Sequence, residues 1–158
     1  LEFQGAGSNK LGEINSDAIN GTTSQMRFYI EESGSLAQKV TIKTDGIHDS
    51  IGNLRSVPQN TQSGSGNYDL VASDNGKHIF ASGNVTIPPN IFGPGDIITV
   101  VNNTAGDINI VAGAGQGIYN SATASTAVPK TLAQRGMATI LITNSSTCYV
   151  SGTSLTDP

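Results

Sequence analysis

Apolar and polar residues alternate over residues 26–30, which puts Met26, Phe28 and Ile30 on one face, and again over 40–43, which pairs Val40 with Ile42. A period of two predicts half-buried strands. The stretch between them, residues 31–35, is polar, and its Gly34 is free to take positive φ. The two runs therefore read as a β-hairpin that ends at the turn signal Asp45-Gly46. A lone two-stranded hairpin is marginal in water, so this one is expected to pack against copies of itself from neighbouring chains.

Residues 52–67 carry almost no apolar periodicity and close on Ser-Gly-Ser-Gly, which reads as a linker with a boundary near Asn67. Strand patterns resume at 68–72, 77–80 and 85–87, and Pro88-Pro89 stops the last, because proline offers no ladder N–H. Residues 97–101 (Ile-Ile-Thr-Val-Val) are apolar at nearly every position, which predicts a central strand covered on both faces. Residues 108–111 are expected to pair after the turn at 102–106. A last hairpin is expected from 138–143 and 147–150 around Asn144-Ser-Ser146. The sole helical candidate is the short run 131–135. About eight short strands at this spacing predict an all-β chain, an N-terminal β-hairpin region followed by a small C-terminal β-sandwich or barrel. The expected segments are 1–8, 9–51, 52–67 (linker) and 68–158.

Composition sharpens this. The chain is rich in Gly, Ser, Thr and Asn, with only 5% aromatic and 13% charged residues, so its core is thin and suited to completion by a partner chain. The net charge of −4 comes without a Lys/Arg cluster, which argues against nucleic-acid binding. No apolar run approaches the length of a membrane-spanning helix, so membrane insertion is not expected. Cys148 is the lone cysteine, placed in a strand pattern where a buried apolar role is expected. Residues 1–8 (Leu-Glu-Phe-Gln-Gly-Ala-Gly-Ser) look like a protease-cleavage linker and cloning scar, and are set aside from function.

Three phrases punctuate the second half: Asp74-Asn-Gly-Lys77; Pro88 with Phe92 and Gly95-Asp96; and Leu132-Ala-Gln-Arg-Gly136. In their order among short strands, over residues 68–155, they resemble a C-terminal β-module of tailed-bacteriophage tail fibre and virion appendage proteins. The 26–46 hairpin is similar to the short units that line fibre shafts, and Arg55-Ser-Val-Pro-Gln59 resembles the phrase that precedes the module. The resemblance implies a virion location, a homotrimer and attachment to a host-surface polysaccharide or outer-membrane component. The alternative it leaves open is a structural role without a receptor, as a trimerisation cap, capsid decoration or knob.

Candidate chemistry is sparse, and no enzyme activity or cofactor is expected. The glycines of 113–117 lack the Gly-Lys-Ser/Thr ending of a phosphate loop and a following helix start, and read as a surface loop. His48 and His78 stand apart without cysteine partners, short of a zinc set. Asp45-Gly-Ile-His-Asp49 lacks the ligand count of a calcium loop. The carboxylates fall mostly in turns, no tryptophan is present to stack a sugar, and no Gly-x-Ser-x-Gly elbow occurs. The one positive expectation is a binding surface. Tyr29 and Tyr149 are out of phase with their apolar neighbours and should point away from the core. Tyr119, in an expected loop with Gln116 and Asn120, offers apolar area beside amides, so Gln116, Tyr119 and Asn120 are the candidate receptor-contacting residues.

Overall fold

The computed structural model describes residues 2–4, 10–19, 23–50, 52–54, 56–64 and 66–158. The chain is all-β, as expected, and divides into two compact units, Leu1–Val57 and Pro58–Pro158.

The N-terminal unit is an antiparallel sheet laid out in chain order: β1 (Glu2–Gln4), β2 (Lys10–Ile19), β3 (Thr23–Glu32), β4 (Ser35–Lys43) and β5 (Gly46–His48). The expected hairpin is β3–β4, turning at Ser33-Gly34 with both residues at positive φ, but it does not stand alone. It is flanked by β2 and β5, and residues 2–4, set aside from function above, pair with β2. A bulge shifts the register at Lys39, since Phe28 faces Val40 and the next residue, Tyr29, faces Gln38. One face carries the rows Ser16, Met26, Ile42, Ile47 and Ile14, Phe28, Val40. The opposite face carries Asn15, Arg27, Thr41 and His48.

The polar face is the better covered of the two. Thr41 and Gln25 are buried, while Met26 is 41%, Ile30 54% and Ile42 41% exposed. Long polar side chains explain the coverage: Arg27 Nη1 donates to the Tyr29 hydroxyl at 3.2 Å, and with the Gln25 amide turned so that its oxygen faces the guanidinium, Arg27 Nε donates to it at 2.6 Å. Among the described residues, no strand of its own unit forms a second layer on the apolar face. None of the buried apolar residues described lies before Leu70.

The C-terminal unit begins at Pro58, earlier than the boundary expected near Asn67. Asn53 bridges back to His48 in the first unit, and β6 (Gln59–Thr61) enters the second unit's sheet, so the linker expected over 52–67 is overturned. The remaining strands are β7 (Tyr68–Asp69), β8 (His78–Ala81), β9 (Val85–Ile87), β10 (Ile97–Asn102), β11 (Ile108–Ala112), β12 (Gly117–Asn120), β13 (Lys130–Asn144) and β14 (Thr147–Thr156), with a 3-10 turn at Ala72–Asp74.

The topology is a stack of arches. Each of β6–β7, β8–β9 and β10–β11 turns a corner, so its first strand joins one parallel wing (β6-β8-β10) and its second the other (β7-β9-β11). The wings are joined by the long β13, which pairs antiparallel with β10 through residues 137–141 and with β11 through 130–132. Residues 108–111 therefore do not form a hairpin with β10; β13 lies between them. The core fills the space enclosed, with Ile79, Ala81, Ile98 and Val100 from one wing and Val85, Ile87, Ile108 and Ile110 from the other. The last hairpin, β13–β14, is present and longer than expected. Residues 97–101 lie inside the sheet but are covered on one face only: Ile98 and Val100 are buried and Ile97 is exposed.

Corners of the arches sit close. A Cβ on Gly83 would come within 2.3 Å of the Gly66 carbonyl, so only glycine fits there. Successive arches are also hooked together, Tyr68 N–H to Asn84 O at 2.8 Å and Asn109 N–H to Asn84 Oδ1 at 2.8 Å.

Candidate binding face and the polar clusters

The residues that carry the fibre-module resemblance are engaged in holding the fold. Asp74 is fully buried, accepting from Asn60 Nδ2 at 2.7 Å, the Tyr68 hydroxyl at 2.9 Å and Val71 N–H at 2.9 Å. Gln62 extends this network by donating to Asn60 Oδ1. Asn60 shares a row with Ile79 and Val100, so the first arch presents a polar residue where the next two present apolar ones. A polar terminal rung is what an exposed end of a stacked fold needs. Burial, and next the hydrogen bond to Asp74, hold the Tyr68 phenol above its ordinary pKa of 10.0. In the second phrase Phe92 is buried, and Asp96 accepts from Gly93 N–H at 2.9 Å and Asn75 Nδ2 at 2.7 Å.

The third phrase is a β-bulge inside β13, where pairing with β14 jumps from Leu132 to Met137 and Arg135 takes φ 63°. The helical candidate at 131–135 is thus strand and bulge. Asn102, fully buried, makes the bulge affordable by donating to the carbonyls of Gly106, Leu132 and Ala133, at 2.9, 3.0 and 3.0 Å.

Of the candidate contact residues, only Tyr119 presents surface. It lies on strand β12 and not in a loop, opposite Tyr149 of β14, with ring centroids 5.2 Å apart and an interplanar angle of 22°. This separation is close to the spacing of adjacent strands, so the rings rise side by side and stack on each other. Among the described residues β12 pairs only with β14, so Tyr119 stands on an edge strand. Tyr149 is exposed, as its phase predicts, while Tyr29 is half-buried under Arg27.

The row continues through Leu141 of β13 and Ile97 of β10, both exposed. A parallel outward row of Ser151, Thr139, Thr99, His78 and Gln59 is polar throughout. In it His78 Nε2 lies 2.9 Å from Gln59 Oε1. The hydroxyl row was not legible from the sequence, because it depends on which strands become neighbours.

Gln116 and Asn120 are buried, which corrects their assignment as contact residues. Gln116 hydrogen-bonds the Cys148 thiol, and burial pushes that thiol up to about 11. Asn120 is 3% exposed, and its side chain turns inward: Nδ2 donates to Asp157 Oδ2 at 3.2 Å, and Oδ1 accepts from Ala122 N–H at 3.0 Å. Asp157 also receives Lys130 Nζ at 2.6 Å and the Thr123 hydroxyl at 2.6 Å. Lys130, in phase with Leu132 on β13, points into the core and is fully buried. Its bond to Asp157, and next that of Thr123, hold the Asp157 carboxyl below its ordinary 3.8. The sequence-level signal for this cluster was a lysine two positions before a core leucine.

His48 Nε2 sits 3.1 Å from Asp45 Oδ1 on the surface of the first unit. Among the described residues no group of three or more His, Cys, Asp or Glu side chains is placed to hold a metal ion. Compared with protein-family models, with curated proteins and with solved structures, the chain matches none of them.

Proposed function

We propose that this chain is a structural part of a phage virion appendage, the distal region of a tail fibre, which assembles as a homotrimer and attaches to the host surface. The observation that carries the reading is the N-terminal sheet, a single layer with its apolar face, Met26, Ile30 and Ile42, turned to solvent. An isolated chain with that face bare is poorly stabilised, and three copies turning their sheets to one axis would cover it. In this reading Tyr119, backed by Tyr149, is the receptor contact. Its half-buried ring and the nearby hydroxyl row suit a polysaccharide or an outer-membrane component, and repetition on three chains raises avidity.

A second reading, a cap or decoration that meets no receptor, is favoured by one observation. The fibre-module residues, together with Gln116 and Asn120, are occupied inside the fold. Light scattering after size exclusion tests the assembly: a mass near three times 16.2 kDa is expected. A monomer would sink the fibre reading. If the trimer holds, competition with phage adsorption separates the two roles, and loss of competition in Tyr119→Ala assigns the contact.

A further inference from the structure

We propose that Lys130 and Asn120 become joined by an intramolecular isopeptide bond, with Asp157 carrying the protons. The three side chains already stand as reactants. Asp157 spans the pair, taking Lys130 Nζ on Oδ1 at 2.6 Å and Asn120 Nδ2 on Oδ2 at 3.2 Å. The Ser125 carbonyl also binds both partners, accepting from Lys130 Nζ at 3.0 Å and from the Asn120 backbone N–H at 2.9 Å. Lys130 and Asn120 are thereby held to the same carboxylate and the same carbonyl. Thr123, donating to Asp157 Oδ2, is a positioning residue for the carboxylate.

The surroundings favour the chemistry. Lys130 is fully buried and Asn120 nearly so, which keeps bulk water from the reacting atoms. Ala122 N–H, on Asn120 Oδ1, polarises the carbonyl and stabilises the oxygen on which negative charge develops. Fixed proximity replaces the high concentration that an unactivated amide would otherwise require.

The step balances without an outside reagent. Lys130 passes a proton from its ammonium to Asp157, and the free amine adds to Asn120 Cγ. Asp157 then protonates Nδ2, the Cγ–Nδ2 bond breaks, and ammonia leaves. The attacking nitrogen loses its second proton through Asp157 to the departing ammonia, which leaves as ammonium. One C–N bond forms, one breaks, and nothing is oxidised or reduced. The product ties the end of edge strand β12 to the start of β13, across the loop of residues 121–129.

The test is the denatured intact mass of the full chain, followed by peptide mapping. The expected result is a chain lighter than its sequence by one ammonia, with the peptides holding Asn120 and Lys130 linked. Lys130→Arg and Asp157→Asn should each restore the full mass. The wild-type map decides the matter even where a variant does not fold. A full wild-type mass overturns the proposal. So does an ammonia loss mapped to an Asn-Gly succinimide such as Asn75-Gly76, or a loss of water linking Lys130 to Asp157.

Discussion

In the N-terminal unit Met26, Phe28 and Ile30 share a face with Val40 and Ile42, and among the described residues no strand of that unit lies above them. In the C-terminal unit Ile79, Val85, Ile98 and Ile110 follow the same alternation and are buried completely. Side-chain pattern is alike in the two; connectivity differs. A meander places each new strand beside the last and adds width to one layer. An arch sends its second strand to a facing wing, so every rung brings its own opposite wall. Burial therefore came from the corners at Gly83 and residues 103–107, positions with no apolar pattern at all. The fold teaches that alternation assigns residues to a common face, while the turns decide whether that face is ever covered.

The comparison is sharpest where a core residue is cut away. Ile140, on the strand that joins the two wings, is fully buried. Ile140→Ala should cost the C-terminal unit about 2–5 kcal/mol, the usual toll of an unfilled core site. Cys148 supplies the readout, since a buried thiol held up to about 11 resists thiol reagents until its unit opens. Labelling under increasing urea should shift to lower concentration in the variant. An unchanged labelling curve would mean that the arches are looser than their burial implies.

A smaller effect follows from pH. The folded-state values of Cys148 and Tyr68 are both raised, the first to about 11 from 9.0 and the second above 10.0, each chiefly by burial. A raised value means that the unfolded chain loses its proton first. The stability these groups contribute is fully present below the unfolded value and is lost as pH rises through the folded one. For Cys148 the window runs from about 9 to about 11, with roughly 3 kcal/mol at stake. Melting temperature should fall across that range, and Cys148→Ala should flatten the fall. A decline unaffected by Cys148→Ala would assign it to other groups.

Much of the architecture was legible in advance: the all-β class, the β3–β4 hairpin, the final β13–β14 hairpin and the outward phase of Tyr149. The first arch was not, because its inward residue is Asn60 and the sequence between its strands is polar and glycine-rich. A polar network around Asp74 takes the place of apolar packing there, and a search for apolar periodicity reads such a strand as linker. Tyr119 was legible as a surface aromatic because strand or loop alike left it outside. Gln116 and Asn120 were misplaced for one reason: β12 runs parallel to a strand thirty residues further on. That pairing, which turns alternate residues of β12 inward, leaves no local trace in residues 116–120.

The smallest expected effect on folding is also the one that most directly tests the contrast between the units. Among the described residues, Ile30 is the most exposed of the large apolar residues on the N-terminal sheet. Replacing it with serine removes little buried area in a single chain, so Ile30→Ser should change that chain's stability by no more than about 0.5 kcal/mol. Its effect on assembly should be out of proportion to this. If the apolar face is closed by copies of itself, the hydroxyl lands in a desolvated contact three times over, and light scattering should show the mass dropping toward 16.2 kDa while circular dichroism stays that of folded sheet. Should the variant remain as large as the wild type, the trimer contact lies elsewhere. The rising row of Tyr149, Leu141 and Ile97 would then be the face to mutate next, and the N-terminal sheet would need a different cover.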